Sequence, residues 1–351
     1  MLISRVIEVE EGDTVQAVRG FLGKLLEEGI AERLFAPVEM VIGEPSRPEV
    51  VGLPQSVAHI NPLLPLMTDN AAIALRQAMQ QEPAAKFAAV LRPCEVRAVI
   101  ELAKREQIRL DNLILIGLDC LSTYDTDFYR EVSASHPDDP HWLLHESLRF
   151  AGKGQIAPYR YREACQFCDR PAPDYTAVDI LLGVIGVDAR QKVLVVAHER
   201  DDVKYKLARL TDRLATEREA VEREVAVFTL SQRRKEAADR KLDQMGLKGG
   251  SLAGIMGHMA RCNLCGDCLD ACPLVDEDLR ASLSQGQASF LAAFVKQSQR
   301  FMSCAACGMC EAHCPEGIPL TAIARALSLP MREHAHYVAG RDPAEPLPWK
   351  S

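Results

Sequence analysis

The residues with the most definite chemistry in this chain are cysteines, twelve among 351 residues. Cys262, Cys265, Cys268 and Cys272 are followed by Pro273, and Cys304, Cys307, Cys310 and Cys314 by Pro315. This is C-x-x-C-x-x-C-x-x-x-C-P written twice, the spacing of iron–sulfur ligation where one chain holds two clusters. Three thiolates two residues apart wrap one turn around a cubane, so each reaches a different iron. The fourth, carried off by the proline turn, ligates the other cluster. The spacing therefore assigns Cys262, Cys265, Cys268 and Cys314 to one 4Fe-4S cluster, and Cys304, Cys307, Cys310 and Cys272 to a second. A disulfide framework would need an export signal and an oxidising compartment. Structural zinc shows two separated pairs, not a run of three plus one.

Four cysteines are left over: Cys94, Cys120, Cys165 and Cys168. Cys165 and Cys168 form a C-x-x-C. From spacing alone three readings stand: a third 4Fe-4S cluster, a four-thiolate zinc site, and, for Cys94 and Cys120, small hydrophobic side chains in a core.

The elements that must position these residues fall into an α/β N-terminal part and an all-α C-terminal part. Residues 14–29 have apolar residues at helical spacing, with Thr14 as a cap and Gly29 at the end. FAPVEMVIG reads as a short strand, residues 44–66 as loop, and AAIALRQAMQQ as a helix capped at Asn70. KFAAVL, EVRAVIELAKRE and NLILIGLDC then read strand, helix, strand, a crossover that implies a partly parallel sheet. Cys94 and Cys120 follow its two strands, at the edge where α/β folds place ligands. Residues 122–160, with His136, His141 and His145, read as a polar, irregular, solvated insertion, not a metal site. KVLVVA (192–197) is another strand.

From 201 to about 245 the charge alternates, as in a solvated helix pair. QASFLAAFVKQSQRFM, between the two cysteine runs, has Phe290, Leu291, Phe294, Val295 and Phe301 at helical spacing, so the cluster region reads as an all-α, ferredoxin-like two-cluster module. The expected organisation is an α/β domain at 1–200, a charged helical linker at 201–250, a two-cluster 4Fe-4S domain at 251–330 and a Pro-rich tail at 331–351, lying as a strap or disordered.

The composition is that of an ordinary globular protein, 48% apolar and 26% charged. A formal charge of -8 argues against nucleic acid, which calls for a basic face. No signal peptide and no apolar run of membrane-spanning length is seen. The expectation is a cytoplasmic protein of anaerobic metabolism whose cysteines are metal ligands.

RPCEVRAVIEL, NLILIGLDC and CQFCDRPAPDYTAVDILLGVIG resemble the coenzyme F420 hydrogenase/dehydrogenase beta-subunit family. The matching positions are Pro93-Cys94, Gly117 to Cys120, Cys165, Cys168, Asp179-Ile180, Gly183 and Gly186, and the similarity covers roughly residues 1–235. Residues 252–330 separately resemble the helical two-cluster subunit of heterodisulfide reductase and related proteins. The first resemblance implies a 4Fe-4S cluster on Cys94, Cys120, Cys165 and Cys168 beside an FAD that exchanges hydride with a soluble carrier. No G-x-G-x-x-G is present, so the flavin site is unassigned. The helix start at Asn70-Ala71 is a place where N–H groups could receive a phosphate.

The function these readings imply is an iron–sulfur electron-transfer subunit, with or without flavin, passing electrons along three 4Fe-4S clusters. Its partners would be the other subunits of a hydrogenase, formate dehydrogenase or heterodisulfide reductase-like complex, together with a ferredoxin or a soluble hydride carrier. Two alternatives stand beside it: a flavin-free wire, and an iron–sulfur sensor or scaffold. No catalytic residue of its own is assigned, and independent catalysis would come only with FAD.

Overall fold

A computed structural model describes residues 2–41, 47–198, 201–275, 277–296 and 298–349. The N-terminal part begins β1 (Leu2–Glu8), α1 (Thr14–Glu27), β2 (Arg33–Val38), β3 (Arg47–Val51) and α2 (Ala71–Gln81). It continues through β4 (Phe87–Leu91), α3 (Pro93–Lys104), β5 (Leu113–Leu118), α4 (Thr126–Ser135), α5 (Trp142–Gly152) and α6 (Glu163–Gln166). Then come β6 (Ile180–Gly183), β7 (Lys192–His198), α7 (Asp201–Leu210), β8 (Arg213–Leu214) and the long α8 (Glu217–Gln244).

The strands form one mixed sheet in the order β3-β2-β4-β5-β6-β7-β1-β8. β2, β4, β5 and β6 run parallel, while the outer pairings are antiparallel. The inner strands are apolar on both faces, as a sheet covered on both sides requires. Ala88 and Val90 of β4 join one core with Val18, Phe21 and Leu22 of α1. Phe87, Ala89 and Leu91 join the other with Leu75 of α2 and Val99 and Leu102 of α3. The crossover β4-α3-β5 is parallel, with Phe87 beside Leu113 and Leu91 beside Gly117.

The C-terminal part is helical: α9 (Leu252–Met259), α10 (Asp267–Asp270), α11 (Glu277–Ser282), α12 (Gln287–Lys296), α13 (Met309–Ala312) and α14 (Leu320–Ala335). Its core gathers Met259, Leu269, Phe290, Phe294, Ile318 and Ile323, and takes in Ala238 and Leu242 of α8 and Phe167. α8 therefore packs against both parts. Among the described residues, no helix is long and apolar enough to cross a membrane.

Several expectations change on this structure. α1 is capped by Asp13, whose side chain accepts from Gln16 N, and Gly29, at φ +62°, lies just beyond its end. The strand expected at 35–43 is β2, starting at Arg33 and ending at Val38; residues 42–46 lie outside the described residues. The stretch 122–160 is not irregular. It holds α4 and α5, and Tyr129 and Leu143 pack with Leu64, Leu66 and Tyr124. The side chain of Val295 lies outside the described residues.

The segment after α14 packs on α3. Buried Glu101 accepts from Tyr337 Oη (2.6 Å), Gly340 N (2.8 Å), Ser303 Oγ (2.5 Å) and Lys104 Nζ (3.2 Å). One carboxylate thus joins the α/β part, the cluster region and the tail.

Candidate metal centres

In both cysteine runs the backbone repeats an unusual conformation. Leu264 and Ala306, each just before the second cysteine, have φ of 61° and 54°, and Gly266 and Gly308, just after it, have 89° and 72°. A left-handed non-glycine residue costs roughly 1–3 kcal/mol and persists only where its surroundings impose it. Alternating right- and left-handed residues turn successive N–H groups into one concavity, a cradle for anions that recurs at iron–sulfur sites. Gly266 and Gly308 also begin α10 and α13. The glycine after the second cysteine of each run is the sequence signal of this turn.

Cys262, Cys265, Cys268 and Cys314 line one cavity with Met259, Leu264, Phe290 and Ile318. Burial pushes Cys268 up to about 12, and Cys314, Cys262 and Cys265 add to it. A second group interacts in the same way. Cys272 is pushed up to about 12 by burial and then by Cys307 and Cys304. Cys310 is raised by burial and by Cys272, Cys304 and Cys307. Cys314 thus lies with the first run's cysteines and Cys272 with the second's, where α10 packs on α13.

Cys94, Cys120, Cys165 and Cys168 line a third cavity, together with Arg92, Arg162, Arg234 and Cys307. Cys94 sits at the start of α3 and Cys120 just past β5, both at the carboxyl edge of the sheet. Cys165 lies on α6, and Cys168 follows it. Burial, then Cys165 and Cys168, pushes Cys120 up to about 12. Cys168 goes the other way: burial raises it, but Arg97 and Arg234 outweigh burial and lower it. Cys307, of the second group, is part of this third wall, so the two sites adjoin.

Burial raises Cys94 and Cys120 of the third group, Cys268 of the first and Cys272, Cys307 and Cys310 of the second. Such thiols are poor thiolates unless a cation compensates them, and a bound metal deprotonates its thiols outright. The donor chemistry therefore fits iron. Among the described residues, no group of three or more His, Cys, Asp or Glu is placed to hold a single metal ion. The thiols of the first and third groups line cavities.

The other family-like positions are explained by packing. Asp179 Oδ2 accepts from Leu115 N at 2.9 Å and ties the loop before β6 to β5. A Cβ on Gly117 would lie 2.6 Å from Pro173 Cγ, and one on Gly186 2.6 Å from Ala226 of α8. At Gly183 it would overlap the Arg223 side chain. That arginine reaches the sheet edge to pair with buried Asp119, beside Cys120, at 2.7 Å. Asp119 in turn accepts from Val184 N and Ile185 N.

The helix start at Asn70-Ala71 is closed. Asn70 and Ala71 are buried, Asn70 Oδ1 accepts from Ala72 N at 3.0 Å, and Ala71 N is directed at Glu95 Oε1. A phosphate has no access, because the Glu95 carboxylate already holds the place. The side chain of Asn70 instead bears on Cys307: burial raises that thiol, and the Met309 backbone and Asn70 oppose the rise.

Two of the three histidines, His141 and His145, lie edge to face at 6.5 Å on one cavity wall, and His136 lies apart from that wall. His141 Nε2 meets Glu39 at 2.8 Å, His145 Nδ1 meets Asp139 at 2.8 Å, and His136 stacks on Trp142. A cavity of about 900 Å³ is lined by Thr14, Arg19, Asn61, His141, His145 and Arg190 among others. It contains no cysteine and shares no residue with the cysteine-lined cavities, so its size does not make it the redox site.

Sequence reasoning missed the arginines. Arg234 lies on α8, a helix whose alternating charge reads as solvated, yet it is buried and donates to Ser122 Oγ (2.7 Å) and Cys165 O (3.0 Å). Arg162 donates to the carbonyls of Cys307 (3.3 Å) and Gly308 (3.2 Å). Nothing in the local pattern distinguishes them from surface arginines.

Residues 257–318 match the family of 4Fe-4S dicluster domains. The chain is 25% identical over 301 residues to the F420-dependent formate dehydrogenase subunit beta of Methanocaldococcus jannaschii, covering 74% of this chain and 75% of that protein. To the F420-dependent formate dehydrogenase 1 subunit beta of Methanococcus maripaludis it is 35% identical over 126 residues, 30% of this chain and 32% of that one. In fold it is similar to a chain of the F420-reducing [NiFe] hydrogenase complex of Methanosarcina barkeri. There the TM-score is 0.50 at 11% identity, over 70% of this chain and 91% of that one. Over about three quarters of its length the chain is thus similar to a beta subunit of F420-dependent formate dehydrogenase, and its residues 257–318 match a 4Fe-4S dicluster domain.

Proposed function

We propose that this protein is an iron–sulfur electron-transfer subunit of a multisubunit redox complex, carrying electrons along three 4Fe-4S clusters. Cys262, Cys265, Cys268 and Cys314 hold the first, Cys304, Cys307, Cys310 and Cys272 the second, and Cys94, Cys120, Cys165 and Cys168 the third. The domains follow this division: an α/β domain at 1–200, a charged helical segment at 201–250, the two-cluster domain at 251–330 and a tail at 331–351. The observation that carries the reading is the place of Cys307, in the second group and in the wall of the third cavity. Two redox centres sharing a wall make a wire, whereas a scaffold has no need of that proximity.

When bound, the clusters supply one-electron transfer at potentials set by charge, burial and hydrogen bonds to sulfur. The chain's own residues supply those settings. Cys265 is the exposed cysteine among the twelve, which makes the first site the terminal open to a partner. Arg162 ties the third site's loop to the carbonyls of Cys307 and Gly308 of the second, and Arg234 holds Ser122 and Cys165 at the third. Asn70 brings an amide to Cys307.

The relatives' names place F420, formate dehydrogenase and hydrogenase beside this chain. The partners proposed are accordingly the catalytic subunits of such a complex, in the cytoplasm. FAD, which would join the electron pairs of a hydride carrier to this wire, is retained as a proposal without an assigned site.

The test is Cys165→Ser in the anaerobically purified protein. It removes about four of about twelve irons and leaves the signals of the other two clusters. Iron content unchanged by the substitution would remove Cys165 from the ligand set and the third cluster with it.

A further inference from the structure

Four guanidinium groups, those of Arg97, Arg170, Arg325 and Arg332, line one internal cavity. Its walls also include Cys168, of the third site, and Cys304, of the second. Among the described residues of that lining, Asp169 is the one carboxylate.

The arginines are held in place chiefly by main-chain oxygens. Arg97 Nε donates to Ala305 O at 2.9 Å, and Arg170 Nη1 to Ala339 O at 2.7 Å. Arg332 donates to Met302 O (2.9 Å), Phe301 O (3.1 Å) and Cys304 O (3.0 Å). Arg325 donates to Phe167 O at 3.1 Å, pairs with Asp169 at 2.9 Å and with half-exposed Asp239 of α8 at 3.6 Å, while its Nε is buried without a hydrogen-bond partner. Arg170 pairs with Asp174 outside the cavity lining.

Carbonyls satisfy the hydrogens of a guanidinium and leave its charge. Arg325 and Arg170 have carboxylate partners, but Arg97 and Arg332 form no ion pair with a carboxylate among the described residues, and such cations are costly to bury unless further negative charge lies close by. The remaining walls that can supply it are Cys168 and Cys304. A 4Fe-4S core held by four thiolates is a net anion, and each added electron makes it more so.

We infer that this arginine cavity is a shared counter-charge for the second and third clusters and raises their reduction potentials together. The inference rests on the cluster assignment proposed above. Nearby cations favour the reduced form of an anionic cluster, and in a buried setting they are weakly screened. The first site lies outside this influence: no arginine lines its cavity, and Glu316 does. Its potential therefore serves as an internal reference.

The experiment is an anaerobic redox titration followed by electron paramagnetic resonance, with iron counted in every sample, on the full chain and on Arg332→Gln, Arg325→Gln, Arg332→Lys and Asp169→Asn. The expected result is full iron in the wild type and the Gln variants, with two of three midpoints lowered in the latter and the third unmoved. Arg332→Lys keeps the charge and stays near the wild type. Asp169→Asn removes the opposing charge and moves the same two midpoints upward. Arg325 holds Phe167 and Asp169 of the third-site loop whereas Arg332 holds Cys304 O of the second, so a local disturbance by either variant would reach one site only, while a lost charge moves both midpoints. Full iron with unmoved midpoints overturns the inference, as do Arg and Asp variants that shift in the same direction. A wild type lacking the third cluster's iron would instead overturn the cluster assignment.

Discussion

Replacing Arg223 by methionine breaks a buried ion pair that pins α8 to the sheet edge beside Cys120. Arg223 Nη2 lies 2.7 Å from Asp119 Oδ1, and the two side chains are 2% and 0% exposed. Asp119 Oδ2 keeps its two backbone donors, Val184 N and Ile185 N, at 2.9 and 3.0 Å. The methionine fills part of the space and leaves a buried carboxylate without its cation, a loss of about 3–5 kcal/mol. Burial already holds the Asp119 carboxyl above its ordinary range, with Arg223 opposing that rise. Without Arg223 the folded-state pKa climbs further above the unfolded one. The sign follows: the penalty is complete above the folded pKa and disappears as pH falls below the unfolded value.

The assay is the urea midpoint of the anaerobic, iron-loaded protein at neutral and mildly acidic pH, for Arg223→Met, Asp119→Asn and the double variant. The deficit of Arg223→Met is largest at neutral pH and shrinks on acidification. The double variant loses less than the sum of the single ones, since the orphaned charge is gone; coupling of about 0.5–3 kcal/mol is the range for residues in contact. A single variant within about 0.5 kcal/mol of the wild type, or strict additivity, would refute the reasoning.

Two further predictions concern different parts of the molecule. Gly308 has φ +72°, and a Cβ there would overlap Ala164, the neighbour of Cys165. Gly308→Ala should therefore push α6 off the Cys307 loop and lower third-site iron, about four of twelve atoms, while the first site keeps its signal. Glu219 is held well below the usual carboxylate range by its hydrogen bond from Arg213, against burial, with Lys192 and Thr216 assisting. Its stabilising effect is present above the ordinary glutamate pKa of about 4.3 and is lost as pH falls through the depressed folded value. With Arg213 partly exposed the effect is about 1 kcal/mol or less. Glu219→Gln should flatten the acid side of the stability profile, and an unchanged acid limb would remove this pair from the account.

The cysteine runs and the central sheet were legible because each rests on a local pattern. Two C-x-x-C-x-x-C-x-x-x-C-P runs name their chemistry by spacing, and KFAAVL or NLILIGL can only be strands buried on both faces. β1, β3 and β8 were harder to read. They lie toward the sheet's margins, where strands are short or half exposed and a partner far along the chain decides their pairing, as Arg5 beside Leu214 shows. α4 and α5 were obscured by the turn residues between them, Pro137 to Pro140, although Tyr129 and Leu143 supply a small core. Asn70 looked like an open helix start because the carboxylate that fills it comes from Glu95, on another helix. Arg234 and Arg162 could not be distinguished from surface arginines by sequence, since only the tertiary fold brings them to the cysteine sites.

Three clusters on twelve cysteines can be checked by counting iron, sulfide, zinc and flavin together in the anaerobically purified chain. About twelve irons with matching sulfide and no stoichiometric zinc are expected, and the flavin count then states whether the wire carries its own hydride chemistry. About eight irons with one zinc would contradict the three-cluster wire: Cys94, Cys120, Cys165 and Cys168 would then be a structural site, and the wire would end at the second cluster.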